Sequence, residues 1–566
     1  MPLDSIPGVE AIVDNDRAFF TLWTKYGKWD SENPSMFKEQ EVNRQDGALP
    51  GVDVPESCIL LHLSDEDRGE YDLNVSSILI REDYLKTLQD ICHFAAHSEL
   101  PDTGSRSDKS PIAFSNPFLN NKIVSMSIAV ILLGHPGIGK SLWLIFVLVL
   151  RILAGCPTIF HFRSNTCYLF NAQGLYKINL ADEEFIDAQH HFRKVVSPQY
   201  WCLVDSNHSV PDVPPQLSQT RAFILQVASP RFDRVDWVKK HGSTTCRYFM
   251  MNPTLPELIM GRTLQPLETR CSEQALKLFY SRYAPSARMA YAYAEGIDQY
   301  EKIITEEISN LTFESFGKML SSAEALRVEN VSYHILLVSP GKGDRSAQSI
   351  TISTRYVYDK LRGKLHIHTL EEAARLYQVF MCNQYTKASA GYILDDIHDV
   401  FCRGGEWQLT PMTKGKPGPI NTHFKSPNST RKSVRLRLGH GNQLIKIAKQ
   451  RLPGGSLFTR LPRHRFLLGE NIQLVDGYYQ PAPGQPTFDG FIYDSATQTA
   501  TMLQMTVATR HDVKVQCLTW LINRGAVTIH LVAVKPPNTS LNFVIPNALA
   551  PQIGKVYELV LKSLQE

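Results

Sequence analysis

No two of the ten cysteines form a CxxC pair. That excludes a zinc knuckle, a thioredoxin-like redox motif and the spacing of a disulfide framework, and it leaves reduced, mostly buried thiols. Long apolar runs are missing as well. The most apolar stretch, LWLIFVLVL (142–150), ends at Arg151, far short of the roughly 20 residues that cross a bilayer. It reads as a buried helix, and no membrane partner is expected. The first residues, MPLDSIPGVEAIVDND, carry neither a basic nor an apolar region, so no signal peptide is expected and the chain reads as intracellular, of cytoplasm or nucleus. Glycine and proline, 33 each, are too few for collagen-like or low-complexity architecture. Net charge is nearly absent too, with 59 Lys and Arg against 56 Asp and Glu, a total that by itself argues against a polyanionic partner. What is present, 566 residues with 43% hydrophobic and 20% charged, is the composition of several globular domains.

Patterning divides the chain into three expected domains of α/β character. Residues 1–110 read as a small α+β domain of unknown role, with strand-like CILLHL (58–63) and SSILI (76–80) before a helical pattern through Leu85, Leu88, Ile91 and Cys92. Residues 111–375 read as a parallel sheet with a helical lid. SIAVILL (127–133) is the continuous apolar run of a strand buried on both faces. PTIFHF (157–162), TCYLF (166–170), GLYKI (174–178), YWCLV (200–204) and RAFILQVAS (221–229) are further strands, and 268–330 is helix-rich. Residues 376–566 open on a helical pattern, SAGYILDDIHDVF (389–401), and continue with the strands FDGFIYD (488–494), TATMLQMTVA (499–508) and VTIHLVAV (527–534).

The strongest motif lies between the first apolar strand and the apolar helix. Gly134-His135-Pro136-Gly137-Ile138-Gly139-Lys140-Ser141 fits G-x-x-x-x-G-K-[ST] in full. In such a phosphate-binding loop the glycines let backbone N–H groups turn inward around phosphate oxygens. Lys140 meets the terminal phosphates, Ser141 ligates Mg2+, and the helix N-terminus faces the anion. The expected ligand is ATP or GTP with magnesium. Asp205, at the end of YWCLV, is the second expected metal-binding residue, acting through water; Ser206-Asn207 follow it where efficient hydrolases often place a glutamate. Beyond AFILQVAS, the segment Ser229 to Arg234 lies where a γ-phosphate sensor would sit, with Arg231 the candidate. Arg288, in Pro285-Ser286-Ala287-Arg288, is a candidate second sensor from the lid.

In the third region an aspartate on one strand and a polar-x-polar pair on the next make the skeleton of a PD-(D/E)xK nuclease site, in which two acids and a carbonyl hold magnesium and a lysine positions water. Here Asp489 is the aspartate, Gln504 stands for the second acid and Thr506 for the lysine. The bland alternative is a hairpin with a polar outer face.

The blocks GHPGIGKSLWLIFVLVLRILAG–PTIFHF, WCLVDSN, VASPRFDRVDWVKK, YFMMNPTLPELI, SAGYILDDIHDVF and PTFDGFIYD–TMLQMTVATRHDV resemble the Crinkler and retrotransposon-hot-spot class of eukaryotic proteins. The resemblance implies a P-loop NTPase followed by a restriction-endonuclease-fold domain acting as an effector on nucleic acid, and that role leaves secretion open. By position it implies that Asp395 is the acidic helix residue of the nuclease and Asp489 its metal-binding aspartate. Gln504 and Thr506 would then be the altered acid and lysine, with His511 and Lys514 as substitutes for the missing charge.

The near-zero net charge conceals one block. The 63 residues 407–469 contain no Asp or Glu and 13 Lys or Arg, and the alternation Val434-Arg435-Leu436-Arg437 would set both arginines on one strand face. Such a patch reads as a phosphate-tracking surface for DNA or RNA. The sequence therefore reads as a nucleotide-binding, ATP-hydrolysing P-loop protein controlling a nuclease-fold domain that engages nucleic acid. The alternative is a non-catalytic nucleotide switch or scaffold. Oligomeric state is not legible.

Overall fold

The computed structural model of the chain describes residues 3–13, 36–42, 52–63, 76–101, 114–119, 129–207, 209–230, 245–283, 285–324, 332–341, 343–365, 405–416, 418–427, 434–438, 445–448, 461–466, 471–481, 488–505, 510–513, 515–535 and 540–560, with the single positions 23, 44, 49, 237, 238, 376 and 392. The chain is mixed α/β and divides into two compact units, Met1–Lys364 and Leu365–Glu566. Among the described residues no helix is long and apolar enough to cross a membrane.

The first unit begins with β1 (Val9–Ala11), β2 (Phe37–Glu41), β3 (Ser57–His62), β4 (Ser77–Leu79) and α1 (Glu82–His97). There follow β5 (Ala129–Leu133), α2 (Lys140–Leu153), β6 (Thr158–Arg163), β7 (Thr166–Asn171), β8 (Gly174–Asn179), α3 (Glu183–Val195), β9 (Trp201–Asp205), β10 (Phe223–Val227) and β11 (Thr245–Phe249). Then come the helices α4 (Leu255–Arg262), α5 (Glu273–Arg282), α6 (Ala287–Tyr293), α7 (Ile297–Ser309) and α8 (Phe313–Glu324). The hairpin β12 (Leu336–Gly341) and β13 (Asp344–Ile352) and the helix α9 (Arg355–Lys364) complete the unit.

Its main sheet has the order β1-β8-β7-β6-β9-β10-β5-β11. The strands β6, β9, β10, β5 and β11 run parallel. The sheet is not parallel throughout, however. Ser164-Asn165 and Ala172-Gln173 are two-residue connections, too short for a crossover, so β6, β7 and β8 run antiparallel. Every residue of β5, β9 and β10 is buried, because both sheet faces are covered. Val130, Leu132, Leu203 and Leu225 face the core shared with α2, while Ala129, Cys202, Val204 and Ile224 face the core shared with Phe185 and Phe192 of α3.

The described residues of 1–110 belong to the first unit. β1 pairs with β8 and so extends the main sheet, and Tyr84, Leu88 and Ile91 of α1 share one core with Trp143, Phe146 and Leu150 of α2. The apolar character of α2 on all sides explains this. One side meets the sheet, and the N-terminal segment is what covers the other. The first unit ends at Lys364, before the expected boundary at 375.

The second unit contains β14 (Gly405–Pro411), β15 (Thr413–Lys414), β16 (Asn421–Lys425), β17 (Val434–Leu438), β18 (Ile445–Ala448), β19 (Arg463–Phe466), β20 (Gly477–Pro481), β21 (Gly490–Asp494), β22 (Thr499–Met505) and β23 (Arg510–Asp512). It continues with α10 (Val515–Asn523), β24 (Thr528–Lys535), β25 (Asn542–Pro546) and β26 (Ile553–Val560). Nine strands form one sheet, β18-β17-β14-β26-β24-β22-β21-β20-β19, and β15-β16-β25-β23 form another. β20, β21 and β22 are an antiparallel meander, and α10 crosses over from β22 to the parallel β24. Leu518 and Leu521 of α10 pack with Phe491, Met502 and Leu531 of those strands. The expected helix 389–401 lies outside the described residues apart from Tyr392.

Candidate functional site

Residues Gly134 to Gly139 join the carboxyl end of β5 to the first residue of α2, Lys140. Two of the glycines are required by backbone shape: Gly137 has φ +78° and Gly139 φ +96°, left-handed conformations that side chains disfavour. Space is closed there as well. A Cβ on Gly137 would come within 2.5 Å of Ser286 Oγ, and one on Gly139 would collide with the Tyr84 hydroxyl. The Lys140 ammonium is buried and donates to the carbonyl oxygens of Gly134 at 2.8 Å and His135 at 2.9 Å, curling the loop around itself. Ser141 Oγ donates to Asp205 Oδ1 at 3.0 Å. The two come from α2 and β9, with β10 between β9 and β5 in the sheet. The loop thus stands over the carboxyl ends of the parallel strands β9, β10 and β5.

Arg288 lies beside this loop. Its backbone N–H donates to Gly137 O at 3.2 Å, and Ser286 Oγ donates to Pro136 O at 3.0 Å. The Arg288 side chain is exposed and has no hydrogen-bond or ion-pair partner among the described residues. Arg231 lies outside the described residues.

Several supporting residues carry no motif and were not legible in the sequence. Tyr84 OH donates to Gly139 O at 2.7 Å, and Trp143 Nε1 donates to Tyr84 O at 3.0 Å. Arg81, 6% exposed, donates to Ile138 O at 3.2 Å and Met251 O at 3.1 Å and pairs with Glu257 at 3.2 Å. Behind Asp205, Gln226 is wholly buried in β10. Its amide donates to Ser206 Oγ at 2.7 Å and its carbonyl accepts from Trp237 Nε1 at 2.7 Å. A glutamine inside an apolar strand was the one available signal. His135 is held neutral, its pKa pushed down to about 3 by burial first, then by Lys140 and His334; its ring stands edge-on to Tyr333 at 5.9 Å.

In the second unit, Asp489 and Gln504 converge. Asp489 precedes β21, its N–H donates to Leu503 O at 3.2 Å, and Gln504 Nε2 donates to Asp489 Oδ2 at 2.7 Å. A carboxylate accepts only, so the amide nitrogen, not the carbonyl, faces it. Strand register carries the same rung onward from Gln504 to Ala533 and from Ala533 to Glu558. Glu558 and Lys535, both buried, pair at 3.1 Å, and Ser426 Oγ donates to Glu558 Oε2 at 2.7 Å. Sequence reading missed this pair, hidden at the ends of apolar strands. Asp395, Thr506 and Lys514 lie outside the described residues, and of His511 only the backbone, in β23, is described. Among the described residues no three His, Cys, Asp or Glu side chains cluster to hold a metal.

Within 407–469, Lys414 and Lys425 belong to the β15–β16 hairpin and Lys416 to its connection; all three are exposed. β17 forms where expected, with Arg435 and Arg437 at alternate positions opposite Gln408 and Glu406 of β14. Arg463 is engaged by the Gln480 carbonyl at 2.9 Å.

No protein-family model matches the chain, and no curated protein matches it in sequence.

Proposed function

We propose that the chain is a P-loop protein that binds a nucleoside triphosphate with magnesium through its first unit, and that its second unit is a nuclease-fold domain engaging DNA or RNA, as in the Crinkler-like effector class. The observation that carries the first half is the meeting of Ser141 and Asp205 at 3.0 Å beside Lys140 and a loop with two left-handed glycines. A hydroxyl and a carboxylate are hard oxygen donors suited to magnesium, so these residues fit the ion: Ser141 would ligate it and Asp205 hold it through water. When bound, the ion neutralises phosphate charge. Lys140, now spent on two loop carbonyls, would turn to the terminal phosphates, and the exposed Arg288 guanidinium would reach the same anion from α6. Ser206, tied to Gln226, offers no carboxylate to orient an attacking water, so binding is better supported than fast hydrolysis.

The meander β20–β22 followed by α10 and parallel β24, together with the meeting of Asp489 and Gln504, supports the nuclease-fold reading. The exposed lysines of the β15–β16 hairpin support a polyanion partner. One observation favours a second reading, a non-catalytic switch or scaffold: the Gln504 amide donates to Asp489 at the place where a second acid would share a cation with it. Titration of fluorescent ATP tests the central proposal. Affinity is expected to fall about tenfold to a hundredfold in Lys140→Ala, from loss of a charge-assisted contact; unchanged affinity would refute it.

A further inference from the structure

We propose that His93 and His97 form a two-imidazole site for a borderline divalent transition ion such as Zn2+, Ni2+ or Cu2+, independent of the nucleotide reading. The residues stand four apart on α1 and so share a helix face. Their rings lie 4.3 Å apart, centroid to centroid, tilted by 31°. Each Nδ1 is committed to a backbone carbonyl: His97 Nδ1 is 3.0 Å from His93 O, and His93 Nδ1 is 3.0 Å from Glu99 O. A carbonyl oxygen can only accept, so both Nδ1 atoms carry a proton, and in the neutral rings both Nε2 atoms carry the lone pair. Neither Nε2 has a partner among the described residues.

An imidazole fixed through one nitrogen by a carbonyl, with the other nitrogen free, is the arrangement of a metal-ligating histidine. The backbone is shaped to produce it. Ser98 ends the helix in the left-handed region, φ +63°, with its N–H on Phe94 O at 2.8 Å. That conformation is uncommon for a residue with a side chain, and here it turns the chain so that the Glu99 carbonyl meets His93. The helix C-terminus carries partial negative charge, which favours a cation at this end. Imidazole nitrogen selects zinc, nickel and copper over magnesium or calcium, which take oxygen ligands. With two protein ligands the ion keeps positions open to water or to a donor from another molecule.

Metal-stripped full-length protein titrated calorimetrically with ZnCl2 tests this. One zinc equivalent is expected to bind, with affinity reduced more than about tenfold in both His93→Gln and His97→Gln. Both side chains lie at least partly open to solvent, so the variants are expected to unfold at the wild-type urea midpoint without metal. Zinc binding of wild-type strength in either variant would overturn the site, as would displacement of zinc by an equal concentration of magnesium. Neither histidine touches the 134–141 loop, so ATP affinity in these variants is expected to be that of the wild type, and the two proposals fail separately.

Discussion

The Ser141 hydroxyl reaches Asp205 across an intervening strand: the first turn of α2 and the carboxyl end of β9 are joined by one 3.0 Å hydrogen bond, with β10 between β9 and β5. Neighbouring strands are about 4.8 Å apart, so the contact fixes the loop over two strand spacings and brings a hydroxyl and a carboxylate to one point.

Replacing either partner should therefore act on the metal-dependent part of nucleotide affinity. Ser141→Ala and Asp205→Asn are each expected to weaken Mg·ATP binding about tenfold or more while changing metal-free ATP binding little. Fluorescent-nucleotide titrations with and without magnesium measure both, and an equal loss in the two conditions would assign the pair a purely structural role.

Arg81 makes a separate prediction about stability. Its guanidinium is buried against Glu257 and two carbonyls, so Arg81→Met leaves the Glu257 carboxylate without its cation, held only by Thr254 among the described residues, and should cost the first unit about 3 kcal/mol. Adding Glu257→Leu is expected to recover part of that loss. Urea unfolding of the single and double variants reads it directly, and additive losses would show that the two residues do not act as a pair.

How far the sequence led is clearest around α2. The glycine loop was legible because an apolar strand, left-handed glycines and an apolar helix follow one another within 25 residues, from Ala129 to Leu153. The cover over α2 was not. Its apolarity on all sides implied a partner, but Tyr84 and Arg81 lie 55 and 57 residues before the loop atoms they bind, at positions no spacing rule connects. Gln226 likewise acts through Trp237 and Ser206, and its role depends on a packing of β9 beside β10 that local pattern does not encode. In the second unit the strand of Gln504 was legible by alternation and the one following Asp489 as an apolar run, whereas the pairing of Lys535 with Glu558 depends on which strands become neighbours.

Acid should loosen the first unit in a defined window. His161 is wholly buried and its pKa is pushed down to about 4, by burial against a smaller opposing effect of its bond to Thr166 O; His135 is held at about 3. The unfolded chain protonates histidine near 6.5, so between that pH and the folded values the unfolded state binds more protons. Stability is full well above pH 6.5 and declines as pH falls towards 4, by about 3 kcal/mol for each residue at pH 4.5. The urea midpoint against pH should show this slope, and His161→Gln should flatten it.

Gln504→Glu should convert the second unit into a magnesium-dependent fold. The variant sets two carboxylates side by side where an amide now donates to Asp489, and without divalent ions this is expected to cost about 1–3 kcal/mol. Magnesium should restore most of it, and thermal unfolding with and without EDTA checks the result. A variant insensitive to magnesium would mean that the two side chains cannot share an ion.

Charge reversal on the β15–β16 hairpin tests the polyanion surface. Replacing Lys414, Lys416 and Lys425 together by glutamate should weaken binding to any nucleic acid sequence. It should also reduce the slope of log affinity against log salt by roughly 2 to 3, at about 0.7–0.9 per lost phosphate contact. Filter binding across a salt series provides the slope, and wild-type binding that ignores salt would remove the surface from consideration.

The burial of α2 between the sheet and the N-terminal segment sets an order of events during synthesis. Tyr84 and Leu88 leave the ribosome before the helix they cover, and at about 5–20 residues per second α2 follows several seconds later. Until then the side of α1 that packs on α2 stays open. A fragment beginning at residue 111 would meet the opposite problem, a nine-residue apolar run, LWLIFVLVL, open to solvent along one side. The piece of this chain expected to stay in solution while carrying the glycine loop is Met1–Lys364 as a whole.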